Sequence, residues 1–204
     1  MKVLYVEAKK KQESLPINIA LLPKELFLAY SIQYKSQAQS IKKKLEASKI
    51  KVSGFQQVLG CTKLKSKLPI LLVGSGKFHA LNLALQNTQV YIYNNSTITQ
   101  VDPKELENLN QKKKAALNRF LSLDRIGILV STKPGQENIT QAEALKERIE
   151  NKYPEKRVYI ILSNHINISE FENFDIDFFI NTACPGLLND SSKIINSDDI
   201  LPFL

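Results

Sequence analysis

Apolar residues in this chain come as short continuous runs separated by segments in which they recur at helical intervals, and that grammar occurs twice. Leu26-Phe27-Leu28-Ala29-Tyr30 is a compact run, and over residues 33–48 Ala38, Ile41 and Leu45 share one helical face with lysines opposite. This predicts a strand followed by an amphipathic helix. Residues 50–53 and 57–59 read as short strand-like pieces leading to Cys61. Residues 69–73 give a buried-strand signal, 78–85 a helix and 90–93 a strand that closes the first unit. Residues 1–7 read as a further strand. Asp102-Pro103 has the form of an N-cap with proline at the first helical position. It predicts a long polar helix to about Leu121, with Leu106, Leu109, Leu117 and Phe120 as buried candidates. The second unit then reads as strand over 126–130, helix over 139–150, strand over 158–162, a turn near 169–174 and strand over 178–181.

Continuous runs that alternate with helices favour parallel sheets covered on both faces. The expected fold class is therefore α/β: two similar small domains, each a parallel sheet flanked by helices, over residues 1–102 and 123–204, with residues 103–122 as the connecting helix. Ligands of such sheets bind beyond the carboxyl ends of the strands, which directs attention to the loops at Cys61, Gly74, Ser131 and Cys184.

Composition narrows the class. With 43% hydrophobic and 24% charged residues, seven glycines and eight prolines in 204 residues, the chain has the make-up of a folded globular protein. No apolar run approaches the roughly 20 residues of a membrane-spanning helix. The first residues lack the apolar core of a secretory signal, so a cytoplasmic location and no membrane partner are expected. The net charge of +8 is uneven: residues 1–102 carry +10 and residues 103–204 carry −2. The lysine runs at 9–11 and 42–44 lack interleaved aromatic or arginine side chains, so they read as solvated faces with a weak pull on acidic partners, and no nucleic-acid partner is expected.

Cys61 and Cys184, the only two cysteines, each follow an apolar run, as if presented at strand ends that face a shared site. Burial as small apolar residues is the plain alternative. Pro185 directly after Cys184 disfavours helix at the cysteine. Gly74-Ser75-Gly76, with His79 close behind, lies between a strand and a helix, where backbone N–H groups hold anions such as carboxylates. It is equally a tight turn that requires glycine. Ser131-Thr132-Lys133-Pro134-Gly135-Gln136 occupies the equivalent place in the second unit, with hydroxyls and a lysine suited to a carboxylate and a Pro-Gly pair suited to a plain turn. A zinc site built from both cysteines with His79 and His165, the only two histidines, is disfavoured because the separations far exceed the usual short ligand pairs.

Four motifs in one order carry a resemblance: Gln-Val-Leu-Gly-Cys at 57–61, Val-Gly-Ser-Gly-Lys-Phe-His at 73–79, Val-Ser-Thr-Lys-Pro-Gly-Gln at 130–136 and Asn-Thr-Ala-Cys-Pro at 181–185. Together they resemble the diphthamide synthase family, the 2-(3-amino-3-carboxypropyl)histidine synthases, over that family's second and third α/β domains. The resemblance implies a 4Fe-4S cluster held by one cysteine from each of three domains, with S-adenosylmethionine at its open iron. It further implies transfer of the 3-amino-3-carboxypropyl group, by radical chemistry, to a histidine of translation elongation factor 2. Carried onto this sequence, it makes Cys61 and Cys184 metal ligands. From their strand-end placement, and not from the resemblance, Gly74, Ser75, Gly76 and His79, with Ser131, Thr132, Lys133, Gly135 and Gln136, are candidates for contact with the methionine part of S-adenosylmethionine. The family's first domain and third cysteine have no counterpart here, and Gly186 and Asn189 depart from the basic and acidic residues expected after Cys-Pro. The expectation is thus the C-terminal part of a split or heteromeric enzyme. A separate chain would supply the missing domain, or two copies would pool their cysteines. The alternative is a non-catalytic paralogue acting as scaffold or adaptor.

Overall fold

The apolar run at 70–73 forms a strand buried along its whole length, and the first sheet is assembled around it. In the computed structural model, which describes Val6, Ala8 and residues 18–86, 89–171, 173–189 and 191–204, that sheet has five strands. These are β1 (Glu25–Tyr30), β2 (Lys51–Gln57), β3 (Ile70–Val73), β4 (Val90–Asn94) and β5 (Thr97–Gln100), in the order β2-β1-β3-β4-β5. The first four are parallel. Helix α1 (Lys35–Ala47) packs Ala38, Ile41 and Leu45 against Leu26, Leu28 and Tyr30 on one face. Helix α2 (Lys77–Ala84) packs Ala80 and Leu83 against Ala29, Ile70 and Leu72 on the other. Each large apolar side chain so buried contributes about 1.5–3 kcal/mol, which is why the runs dictate the strands.

The second sheet contains β6 (Arg125–Ser131), β7 (Arg157–Ser163), β8 (Phe178–Asn181) and β9 (Ile194–Asn196), all parallel, in the order β7-β6-β8-β9. Helix α3 (Pro103–Ser122) contributes Ala116 and Phe120, and helix α4 (Ile139–Lys152) contributes Ala142, Leu145 and Ile149, to the core on one face. The short helix α5 (Ser197–Ile200) adds Ile200. The other face is covered by the 3₁₀ turns Ile168–Phe171 and Pro185–Asn189, through Phe171 and Leu187 against Leu129, Phe179 and Ile194. The chain divides into two units, Met1–Glu107 and Asn108–Leu204.

The α/β class with two helix-flanked sheets is as expected, with three local differences. Residues 50–53 and 57–59 are not two pieces: one strand runs from Lys51 to Gln57, and a register shift opposite Leu26/Phe27 accommodates an extra residue. Val58 lies just beyond it, buried, with its N–H donating to the Tyr30 carbonyl at 2.8 Å. Strand β5 is an antiparallel edge reached through Asn95 and Ser96, both at positive φ (46° and 73°), the geometry of a tight hairpin turn. Strand β9 follows a polar stretch. The strand expected over residues 1–7, apart from Val6, and the lysines at 9–11 lie outside the described residues.

Ion pairs tie the amino ends of neighbouring strands. Glu25 accepts from Lys51 at 2.9 Å and from the Ser53 hydroxyl at 2.5 Å, and these hydrogen bonds hold its carboxyl below the ordinary value. Arg125 grips Asp177 through Nε at 2.9 Å and its terminal nitrogen at 2.6 Å and also pairs with Asp175, which lowers the Asp177 pKa in the same way. The end of α3 is closed by Lys156, 4% exposed, whose ammonium donates to the carbonyls of Leu121 (3.1 Å) and Leu123 (2.7 Å). The same ammonium lies over the rings of Phe120 and Tyr153. A cation at a helix carboxyl end also opposes the helix dipole. Lys156→Met keeps the length of the stem but leaves two carbonyls without a donor. It should lower the unfolding free energy by about 2 kcal/mol, read as a lower urea midpoint at unchanged slope.

Candidate functional site

A strand buried on both faces cannot carry polar chemistry along its length, so the candidate groups of each unit collect where its parallel strands end. In the first unit, three residues separate the last residue of β2 from Cys61, which is exposed. The loop is fastened by two amide side chains, Asn82 in α2 and Gln86 two residues past its end. Asn82 Nδ2 donates to the Gly60 carbonyl at 2.8 Å. Gln86 donates to the Thr62 carbonyl at 3.1 Å and accepts from the Leu64 N–H at 2.8 Å. Within the loop, Thr62 Oγ1 accepts from the Leu59 N–H at 2.8 Å. The ring of Phe78 packs so closely on Gly60 that a Cβ there would collide with it, and this contact fixes glycine beside the cysteine.

The same helix opens at Gly76, so the Cys61 loop and the Gly74–Ser75–Gly76 loop are positioned by one element. Gly74 is buried and Ser75 exposed. A Cβ on Gly76 would lie 2.7 Å from Nδ1 of His79, so the imidazole sits directly against the loop backbone. Burial of His79 shifts its pKa below the ordinary histidine value, which favours the neutral ring.

In the second unit Cys184 is also exposed and lies just past β8. Asn181, the last residue of β8 and 2% exposed, folds the chain around it. Its amide donates to the Cys184 carbonyl and to Asn196 Oδ1, both at 2.8 Å, and its oxygen accepts from the Ala183 N–H at 2.9 Å. Asn196, closing β9, donates onward to the Pro185 carbonyl at 3.2 Å. The Thr182 hydroxyl donates to the Leu129 carbonyl at 2.9 Å. Asn138 stands at the N-cap of α4 without capping it, and donates instead to the Thr182 carbonyl at 3.0 Å.

That link joins the Cys184 loop to the loop carrying Ser131, Thr132, Lys133, Gly135 and Gln136. Ser131 is buried and accepts from the Lys133 N–H at 3.2 Å. Thr132 donates its N–H to the Ser163 carbonyl at 3.1 Å, and Gln136 donates its N–H to the Lys133 carbonyl at 3.0 Å. Gly135 has φ +79°, a conformation that requires glycine here, as a plain turn would. Lys133 Nζ lies 3.4 Å from Nδ1 of His165.

Each cysteine is thus brought together with the candidate loop of its own unit. The supporting amides of Asn82, Gln86, Asn138 and Asn196 were missed from sequence, although Asn82 and Gln86 leave a trace as polar residues four apart at the end of an apolar helical segment. Among the described residues no group of three or more His, Cys, Asp or Glu side chains gathers to hold a metal. The thiols suit two ligand positions for an iron-sulfur cluster, and the residues present do not complete such a site.

Residues 1–194 match the family described as diphthamide synthesis protein. The 2-(3-amino-3-carboxypropyl)histidine synthase of Pyrococcus horikoshii is 26% identical over 199 residues, covering 90% of this chain and 56% of that protein. Subunit 1 of the corresponding synthase of Encephalitozoon cuniculi is 22% identical over 188 residues, covering 85% and 53%. The crystal structure of Dph2 from Pyrococcus horikoshii with a 4Fe-4S cluster shares the fold at a TM-score of 0.78 and 23% identity, over 89% of this chain and 57% of that one. This chain therefore spans little more than half the length of these relatives.

Two outcomes test the loop geometry. Asn181→Ala removes both donors and the acceptor of a buried amide, and should cost about 1–3 kcal/mol of stability while accelerating hydrogen exchange at Ala183, with the Cys61 loop unaffected. Because the folded state holds His79 below the 6.5 of a free imidazole, the unfolded chain binds more protons in the window beneath that value. Its contribution to stability should hold above pH 6.5 and fall as the pH drops below it. The His79 ring resonance should titrate with a midpoint under 6.5, and His79→Gln should flatten that part of the stability profile.

Proposed function

The chain belongs to the diphthamide synthesis protein family, and from that membership we propose that it takes part in transferring the 3-amino-3-carboxypropyl group of S-adenosylmethionine to a histidine of translation elongation factor 2. It does so as part of a split or heteromeric synthase. Cys61 and Cys184 each supply one thiolate to a 4Fe-4S cluster, and the third comes from outside these 204 residues, on a further chain or a second copy. The family assignment carries the activity; the observation that supports the ligand roles is the way the two thiols are presented. Each sulfur is exposed, on a loop whose backbone is pinned by amides. A thiolate ligand needs that arrangement, with a fixed backbone and an accessible sulfur, whereas a cysteine that merely fills a core has no accessible sulfur.

The backbone and side chains of Gly74, Ser75, Gly76 and His79, and of Ser131, Thr132, Lys133, Gly135 and Gln136, contact the methionine portion of S-adenosylmethionine. Lys133 suits its carboxylate and the neutral His79 can accept from its ammonium. The reaction takes place in the cytoplasm, on a translation factor; no helix among the described residues is long and apolar enough to cross a membrane. A second reading, a non-catalytic scaffold that retains the fold, draws on the lack of a complete metal-holding group among the described residues.

Anaerobic purification from the native source, with iron, sulfide and co-purifying chains measured, decides between them. The visible absorption spectrum of an iron-sulfur cluster should be present. Cys61→Ala or Cys184→Ala should abolish it without unfolding the protein, and modification of the elongation factor should be lost with it. A stoichiometric complex devoid of iron, with both thiols dispensable, would establish the scaffold reading.

A further inference from the structure

From Ala47 to Val101 the chain has six lysines and no aspartate or glutamate. Two of the six are paired with carboxylates from outside that stretch, Lys51 with Glu25 and Lys77 with Glu105, each at 2.9 Å. Three others, Lys63, Lys65 and Lys67, follow Cys61 at alternate positions. Over residues 62–68 burial alternates residue by residue: Thr62, Leu64, Ser66 and Leu68 are half-buried, and the three lysines between them are exposed.

This alternation is imposed from inside. Gln86 holds the backbone at Thr62 and Leu64, the Leu64 side chain packs against the core under α2, and the Ser66 hydroxyl accepts from the Leu68 N–H at 3.2 Å. Beyond Pro69, whose carbonyl accepts from Phe27 at 2.8 Å, the chain enters β3. The strap is therefore fastened at both ends and in its middle. The alternation puts the three lysines on the outer side of the strap, between residues that face inward. Among the described residues no carboxylate pairs with Lys65 or Lys67.

We propose that this strap is a docking surface for an acidic protein, which it brings alongside Cys61. The alternation of lysines with Leu64, Ser66 and Leu68 leaves no arginine to fork a phosphate and no aromatic ring on which a base could stack, so the surface is built for carboxylates and not for nucleic acid. Lysine ammonium groups are compact, well-hydrated charges that steer and register a partner without binding it tightly. The contact is consequently transient and is screened as ionic strength rises past the physiological range.

The test uses the purified full chain without iron, so its result is separable from the cluster reading. Fluorescent octaglutamate and an eight-nucleotide thymidylate strand are titrated at low salt into the wild type, Lys65→Glu/Lys67→Glu and Lys35→Glu/Lys43→Glu. The last pair makes the same charge change on exposed positions of α1. Octaglutamate binding should weaken at least about tenfold in the strap variant and much less in the α1 variant, and should disappear in 0.5 M salt. Saturating octaglutamate should also slow alkylation of Cys61 by N-ethylmaleimide in the wild type, and much less so in the strap variant. Equal losses in the two variants, tighter binding of the thymidylate strand, or alkylation of Cys61 at the unprotected rate would each overturn the proposal.

Discussion

Burial of the parallel strands on both faces is the constraint from which the arrangement of this protein follows. Every residue of β3 and β8 is buried, and the same holds for β6 beyond its first position. A polar side chain on such a strand would lose its water without a partner, at a cost of a few kcal/mol. Chemistry is therefore displaced to the loops beyond the strand ends. Asn181 is the exception that obeys the rule: it is the last residue of β8 and nearly inaccessible, and both its nitrogen and its oxygen are engaged. A buried amide with every group satisfied adds specificity without a desolvation penalty.

The two units meet the common need to present a thiol past a strand end by different means. In the first, the clamp comes from the following helix and the turn that ends it, where Asn82 and Gln86 reach across to the carbonyls of Gly60 and Thr62. In the second, it comes from the strands, through Asn181 and its neighbour Asn196. The N-cap residue Asn138 adds a third anchor by giving up its capping role. The recurring order of strand, helix and cysteine therefore reflects what a parallel sheet permits. Shared clamp residues would be needed to argue for a preserved duplicate, and the clamps are not shared.

How much of this could be read from the chain depended on whether a segment's role was set by its own side chains. The run 26–30, the helical face of Ala38, Ile41 and Leu45, and the Asp102-Pro103 helix start all carry their own apolar period or cap, and they formed as expected. Strand β5 was not legible because Thr97-Ile98-Thr99-Gln100 buries only Ile98; it is a strand because β4 offers an open edge and Asn95-Ser96 can make the turn. Strand β9 is three residues long and is recruited by β8. The separate piece expected over 57–59 failed for a related reason. Val58 is buried like a strand residue, but only its N–H is engaged, to Tyr30, before the chain turns at Gly60. At the candidate site, cysteines and glycines stand out by type alone, whereas an asparagine reveals a clamp only once the carbonyl it serves is in view.

The two poles of these sheets are held by different kinds of interaction, and the difference bears on what the carboxyl ends can bind. At the amino ends, charged pairs join adjacent strands, Glu25 with Lys51 and Arg125 with Asp177. At the carboxyl ends, the cysteine loops are held by neutral amides. A carboxylate used as a clamp beside Cys61 would add fixed negative charge there and repel any anionic ligand. Asparagine and glutamine perform the same mechanical task without charge, and they do so at every pH. The stretch from Ala47 to Val101, devoid of acidic residues and containing Cys61, the Gly74–Gly76 loop and the lysine strap, extends that principle from the clamp to its surroundings. Neutral clamps and an acid-free stretch together leave the Cys61 loop without fixed negative charge from residues 47–101.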